Sequence, residues 1–143
     1  MSHDVPDATP APDRFLSAAG LQFVTEYHLA TLSTLSADGT IHAVPVGFTY
    51  EAGIARVITS GGSQKVLNAV RGGIATISQV DRATWLTLSG TVSIHDDAET
   101  VADAVQRYAV RYRQPRVNPL RVAMLVTVTK SMGSAQLLVP KTP

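Results

Sequence analysis

The sequence predicts a mainly β (α+β) domain, a six-stranded antiparallel barrel with helices filling its ends. Six β-like segments are set off by turn signals, three stretches carry a helical period, and no repeat or low-complexity tract interrupts them. At 143 residues the chain is one domain's worth. It is long enough to bury a core but short for enclosing a large ligand alone, so a site shared between two protomers is expected.

The elements follow in order. Residues 1–13 carry Pro6, Pro10, Pro12 and three Asp, and are expected to form a loose tail ahead of a single domain over 14–143. From Phe15 to Tyr27, Leu16, Ala19, Phe23 and Tyr27 recur at helical steps despite Gly20. Leu29–Leu35 has a β rhythm, Asp38-Gly39 is a hairpin turn, and Ile41–Tyr50 sets Val44, Val46, Phe48 and Tyr50 on one side. Pro45 cannot donate to a ladder, which predicts an edge or a bulge there. Glu51-Ala52-Gly53 turns the chain into Ile54–Thr59. A Gly-rich loop then opens a helix from about Ser63 to Arg71, stopped by Gly72-Gly73. Strands Ile74–Val80 and Trp85–Ile94 are joined through Asp81–Thr84. Asp96 or Asp97 caps a helix running through Val101, Val105, Tyr108 and Tyr112 and ended by Pro115, and Val122–Val128 is the last strand.

Composition is ordinary, with 45% hydrophobic residues and net charge +1, so bulk charge points to no partner. Its distribution is uneven: residues 1–100 hold five Lys/Arg against ten Asp/Glu, and 101–143 hold seven against one. The absence of cysteine excludes disulfides and thiolate metal sites. His28, His42 and His95 lack metal-ligand spacing, so no metal is expected. No apolar stretch reaches the roughly 20 residues of a membrane span, and the polar, Pro-rich start is unlike a signal peptide, so a cytoplasmic protein is expected. Few lysines and no recognised motif argue against nucleic acid.

The strongest local signal is Arg56-Val57-Ile58-Thr59-Ser60-Gly61-Gly62-Ser63-Gln64-Lys65, where a strand breaks at two glycines and restarts as a helix. Glycines let the backbone approach a ligand, the first helical N–H groups have no internal partner, and Lys65 adds charge; together they suit an anion such as a cofactor phosphate. The plainer reading is a strand-to-helix loop with Ser63 as N-cap. It is not a Walker sequence, since the spacer and the Gly-Lys-Ser/Thr ending are missing. A second cluster, Arg107, Arg111, Arg113, Arg116 and Arg121, fits two readings. The guanidiniums grip carboxylates or phosphates, or they pair with the acidic first hundred residues and stitch the helix to the body or to a second subunit. Trp85 fits a planar ligand or a subunit interface equally. No Ser, His and Asp set forms a nucleophile, and no catalytic side chain is expected. That absence suits a cofactor that carries the chemistry.

The order Leu32-Ser33-Thr34-Leu35, Asp38-Gly39, Val44-Pro45-Val46-Gly47-Phe48, Arg56-Val57-Ile58-Thr59, Gly62-Ser63-Gln64-Lys65 with Asn68, then Trp85 and Ser89-Gly90, resembles the pyridoxamine-phosphate-oxidase-like split β-barrel family. Within it the chain is most similar to the actinobacterial branch that uses the deazaflavin coenzyme F420. The resemblance covers roughly Leu29 to Leu137, and its specificity lies in the order and spacing of short motifs. It implies a PNPOx-like FMN-binding fold in a homodimer with two interfacial cofactor sites. Arg56, Val57, Ile58 and Thr59 would lie along the cofactor, Gly62, Ser63, Gln64, Lys65 and Asn68 would hold its phosphate, and Gln79 and Trp85 would contact its ring or tail. The implied reaction is hydride transfer from reduced F420 to a conjugated acceptor, biliverdin giving bilirubin. Arg111, Arg113, Arg116 and Arg121 would receive the acceptor's two propionates. The alternatives are an FMN-dependent oxidase and a carrier of flavin, deazaflavin or tetrapyrrole without turnover.

Overall fold

The computed structural model describes residues 12–140. Most of the expected tail lies outside them, but its last residue is fixed. The Asp13 carboxylate accepts the N–H groups of Phe15 (3.0 Å) and Leu16 (2.9 Å) and the hydroxyl of Tyr50 (2.6 Å), so the ordered domain begins before residue 14.

Helix α1 is only Ala18–Phe23, shorter than the period over Phe15–Tyr27 predicts. Tertiary contacts cut it back. Leu16 bridges to Leu138, and Ser17, the N-cap, is held by the Leu137 carbonyl. The 3-10 turn Ala135–Leu137 lies so close that a Cβ on Gly20 would strike the Leu137 oxygen.

The strands are β1 Ala30–Leu35, β2 Ile41–Val46, β3 Thr49–Glu51, β4 Ile54–Ser60, β5 Ile74–Asp81, β6 Thr84–His95 and β7 Arg121–Gly133; α2 spans Gln64–Gly72 and α3 Ala98–Arg111. They form one antiparallel sheet in the order β2-β1-β5-β6-β7-β4-β3. The expected six strands become seven because Ile41–Tyr50 breaks at Gly47-Phe48. β2 and β3 lie at opposite edges of the sheet although only those two residues separate them. Three Cα steps span at most about 11 Å, so the sheet must curl until its edges nearly meet without a ladder between them. This is a split barrel, and Pro45 sits on its β2 edge as expected.

The interior is filled by Leu32, Phe48, Ala55, Val57, Ile77, Leu86, Leu88, Met124 and Val126, each buried almost completely. Helix α2 plugs one end with Val66 and Ala69, and its Asn68 amide donates to Thr34 of β1 at 3.2 Å. Of the two candidate caps for α3, Asp97 takes the role, accepting from Thr100 N–H at 3.0 Å.

Two tyrosines tie outlying segments to the barrel. Tyr50 donates to Asp13, while the Tyr112 hydroxyl donates to the His28 carbonyl (2.7 Å) and accepts from Phe48 N–H (3.1 Å). Burial is the main cause holding both phenols above their ordinary pKa near 10. A folded-state pKa above the unfolded one gives stability that is complete below pH 10 and is lost as pH rises beyond it. The urea midpoint is therefore expected to fall above pH 10, and Tyr50→Phe to flatten that fall. An equal fall in the variant would remove Tyr50 from the account.

Candidate functional site

Strand β4 is paired with β7 along its whole length, but β3 covers only Ile54–Arg56 on its other side. From Val57 to Ser60 that edge faces no strand. The barrel is split at this place, and a groove of about 340 Å³ fills the gap. One wall is Ile58, Thr59 and Ser60; facing them are Pro45, Val46 and Gly47 from the end of β2, with Tyr108 of α3. Pro115, Asn118 and Arg121 from the α3–β7 connection and Lys65 of α2 complete the lining, so the groove holds two cations and no carboxylate. Asn118 fastens this connection to β4, donating to Ser60 Oγ at 2.8 Å and accepting from Leu120 N–H at 3.0 Å.

At the cationic end the chain turns through Gly61-Gly62 into α2. Gly61 N–H donates to the Leu120 carbonyl at 2.7 Å. Gly62 has φ +83°, a left-handed conformation that favours glycine, and nothing lies within 4 Å of where its Cβ would be. Ser63 occupies the N-cap position with extended backbone, yet its side chain makes no capping bond. Its Oγ is buried and has no partner among the described residues. A buried hydroxyl without a partner is costly unless a ligand supplies one. An open glycine backbone, that hydroxyl, the start of α2 and Lys65 together fit a phosphate.

Several residues expected at the site lie elsewhere. Arg111 is 9% exposed and is not among the residues that line the groove. Its Nε, Nη1 and Nη2 donate to Glu26 O (2.9 Å), Phe48 O (2.6 Å) and Gln79 Oε1 (2.7 Å), and its guanidinium lies 4.7 Å from the Phe48 ring centroid. Burial presses its pKa down, and no carboxylate compensates among these partners. Gln79 is consumed by the same node, donating to Phe23 O at 2.8 Å. Asn68, 1% exposed, accepts from Gln64 (2.7 Å) and Arg71 (3.3 Å) while bonding Thr34, so it pins α2 rather than facing the groove. Val57 points into the core. Arg56 lies under α3 at 3.7 Å from Asp103, in a chain of charges in which Arg107 bonds both Asp103 and Glu51. Arg107 pairs with Glu51, as the stitching reading has it, whereas Arg111 ties α3 to the body through neutral acceptors and no carboxylate.

Ile58, Thr59, Lys65 and Arg121 do meet in the groove. Arg113 and Arg116 are exposed on either side of Pro115. Trp85, 40% exposed, stands at the start of β6 beside Gly133, whereas the groove lies beside Arg121 at the other end of β7. Sequence reasoning missed Pro45, Gly47, Ser60, Asn118 and Tyr108 as site residues. Pro45 and Gly47 were visible as motif and Tyr108 as one of a helical pair, but nothing local says that the β2–β3 corner meets α3.

The family described as pyridoxamine 5′-phosphate oxidase matches residues 16–132. The F420H(2)-dependent biliverdin reductase of Mycobacterium tuberculosis (strain CDC 1551 / Oshkosh) is 53% identical over 125 residues, covering 86% of this chain and 91% of that one. Among solved structures, an F420 reductase superposes with TM-score 0.67 at 22% identity over 78% of this chain and 94% of that one. The conserved hypothetical protein Rv2991 from Mycobacterium tuberculosis gives 0.73 at 19% identity, over 86% and 87%.

Proposed function

This chain belongs to the pyridoxamine 5′-phosphate oxidase family, and within it we propose an F420-dependent reductase that passes a hydride to a conjugated acceptor, turning biliverdin into bilirubin. The observation that carries this reading is the 53% identity to an F420H(2)-dependent biliverdin reductase across most of both chains. The groove adds an independent physical argument. It offers loop groups that fit a phosphate and an uncovered strand edge, with no carboxylate in its lining and no metal-binding cluster among the described residues, which suits a protein whose part is to bind, orient and exclude water.

Reduced F420, when bound, supplies the hydride. Ser63, Lys65 and the Gly62 backbone hold its phosphate, and the free backbone groups of Val57–Ser60 receive polar groups at the edge of its ring system. Arg113 and Arg116, exposed on either side of the groove-lining Pro115, would receive the acceptor's carboxylates. Replacing both by alanine is expected to raise the biliverdin KM roughly tenfold and leave F420 affinity within about twofold, because exposed ion pairs are individually weak but two act together here. Loss of F420 affinity instead would sink the assignment.

We also propose that the active unit is a homodimer in the cytoplasm, where a reduced hydride carrier is regenerated. The outer face of β1, β5 and β6 is uncharged, with Thr31, Ser33, Thr76, Ser78, Thr87 and Ser89 between apolar ends. Ile41 (75% exposed), Leu35 and Ile74 stand at one end, and Val80 and Trp85 at the other. Such a face suits a second copy, which would also bring its Trp85 towards the groove. The deciding experiment titrates the purified protein with oxidised F420 and with FMN, then adds biliverdin to the reduced F420 complex. Selective F420 binding with bilirubin formation supports the reading; binding without turnover makes the protein a carrier, and FMN preference overturns the cofactor.

A further inference from the structure

Tyr108 has no role in the cofactor cradle, yet it lines the groove. It is backed by a stack of aromatic rings: Tyr108 lies 4.8 Å from Tyr112 between centroids, and Tyr112 meets Tyr27 edge-on at 5.2 Å. The Tyr112 hydroxyl, bonded to His28 O and Phe48 N–H, fixes these rings to the segment before β1 and to the β2–β3 corner. The position of Gly47 has the same origin. Its φ is not positive, so the glycine answers no conformational need there. A Cβ at that position would stand 2.8 Å from Tyr108 Cε2 and 2.9 Å from Tyr112 Cε2, closer than side-chain atoms approach. Gly47 therefore makes room for the tyrosine rings against the β2–β3 corner.

We propose that Tyr108 is the aromatic wall on which the flat conjugated acceptor stacks, and so a specificity-determining residue. Lys65, Ser60, Asn118 and Arg121 give the groove polar lining, and Pro45, Gly47, Tyr108 and Pro115 also line it. Arg113 and Arg116 flank Pro115, so an acceptor with a planar body and carboxylate arms meets an aromatic face and cations on one segment. A face held by a rigid stack is already ordered before the ligand arrives, which favours planar acceptors over compact ones.

This inference rests on the reductase reading, and its test separates the two. Wild type, Tyr108→Phe and Tyr108→Leu are compared for oxidised F420 affinity, and for KM and kcat with biliverdin and with a small quinone. Tyr108→Leu is expected to raise the biliverdin KM roughly tenfold, with F420 affinity and the quinone KM within about twofold, and Tyr108→Phe to restore the wild-type value. Equal losses for both acceptors, a fall in F420 affinity, or a Tyr108→Phe variant as poor as the leucine one would overturn the stacking role. A wild type that neither binds F420 nor turns over would instead remove the reductase reading on which it stands.

Discussion

Replacing Arg111 by alanine is expected to destabilise the fold by about 3–5 kcal/mol, because each buried acceptor left without a donor costs about 1–3 kcal/mol. Two buried acceptors, Phe48 O and Gln79 Oε1, and the part-buried Glu26 O would lose this donor together. Those acceptors belong to the segment after α1, to the β2–β3 corner and to β5, so one guanidinium fastens three parts of the barrel to the end of α3. Lysine should rescue little, because a single ammonium cannot present the three-pronged fork. Urea unfolding checks this through a lower midpoint at unchanged slope. A stable Arg111→Ala protein with a selectively raised biliverdin KM would instead restore Arg111 to the substrate site.

The second large effect concerns Lys65. Changing it to alanine should raise the F420 dissociation constant by roughly 10- to 100-fold, the range for losing a charge-assisted contact to an anion. Ser63→Ala should cost less affinity and leave the protein at least as stable, since it deletes a buried hydroxyl that has no partner in the described protein. Fluorescence titration of the deazaflavin reads the first expectation and thermal melting the second. An unchanged dissociation constant for both variants would remove the phosphate from this loop.

Much of the fold was legible because strand alternation and turn chemistry are local. The one misread strand shows where locality ends. Val46 and Phe48 are both buried and two apart, so the inward rhythm runs unbroken through the corner while the chain exchanges β1 for β4 as partner. The site divided the same way. Gly62, Ser63 and Lys65 could be read from a strand-to-helix break, since their role depends on backbone within a few residues. Arg111 and Gln79 could not, because an arginine four residues after the solvent-facing Arg107 gives no sign that its fork meets two backbone carbonyls and an amide contributed by distant segments. Trp85 illustrates a third case, in which a residue read as a ligand contact lies at the end of the sheet away from the groove of its own chain.

The pairing of β4 with β7 also orders events in time. Ser60 lies opposite Arg121 and Ile54 opposite Thr127, so the groove's strand waits for a distant, later segment before it is held. Loop closure over such a separation is slow, and a growing chain emerges from its N-terminal end. The hairpin of β1 and β2 and that of β5 and β6 can form early. Until β7 arrives, the Val57–Ser60 edge and its opposite edge are both bare, apart from the three residues of β3, and open to pairing with another chain. Binding competence thus waits for β7, and until then a nascent protein exposes the edges of the strand that forms its site.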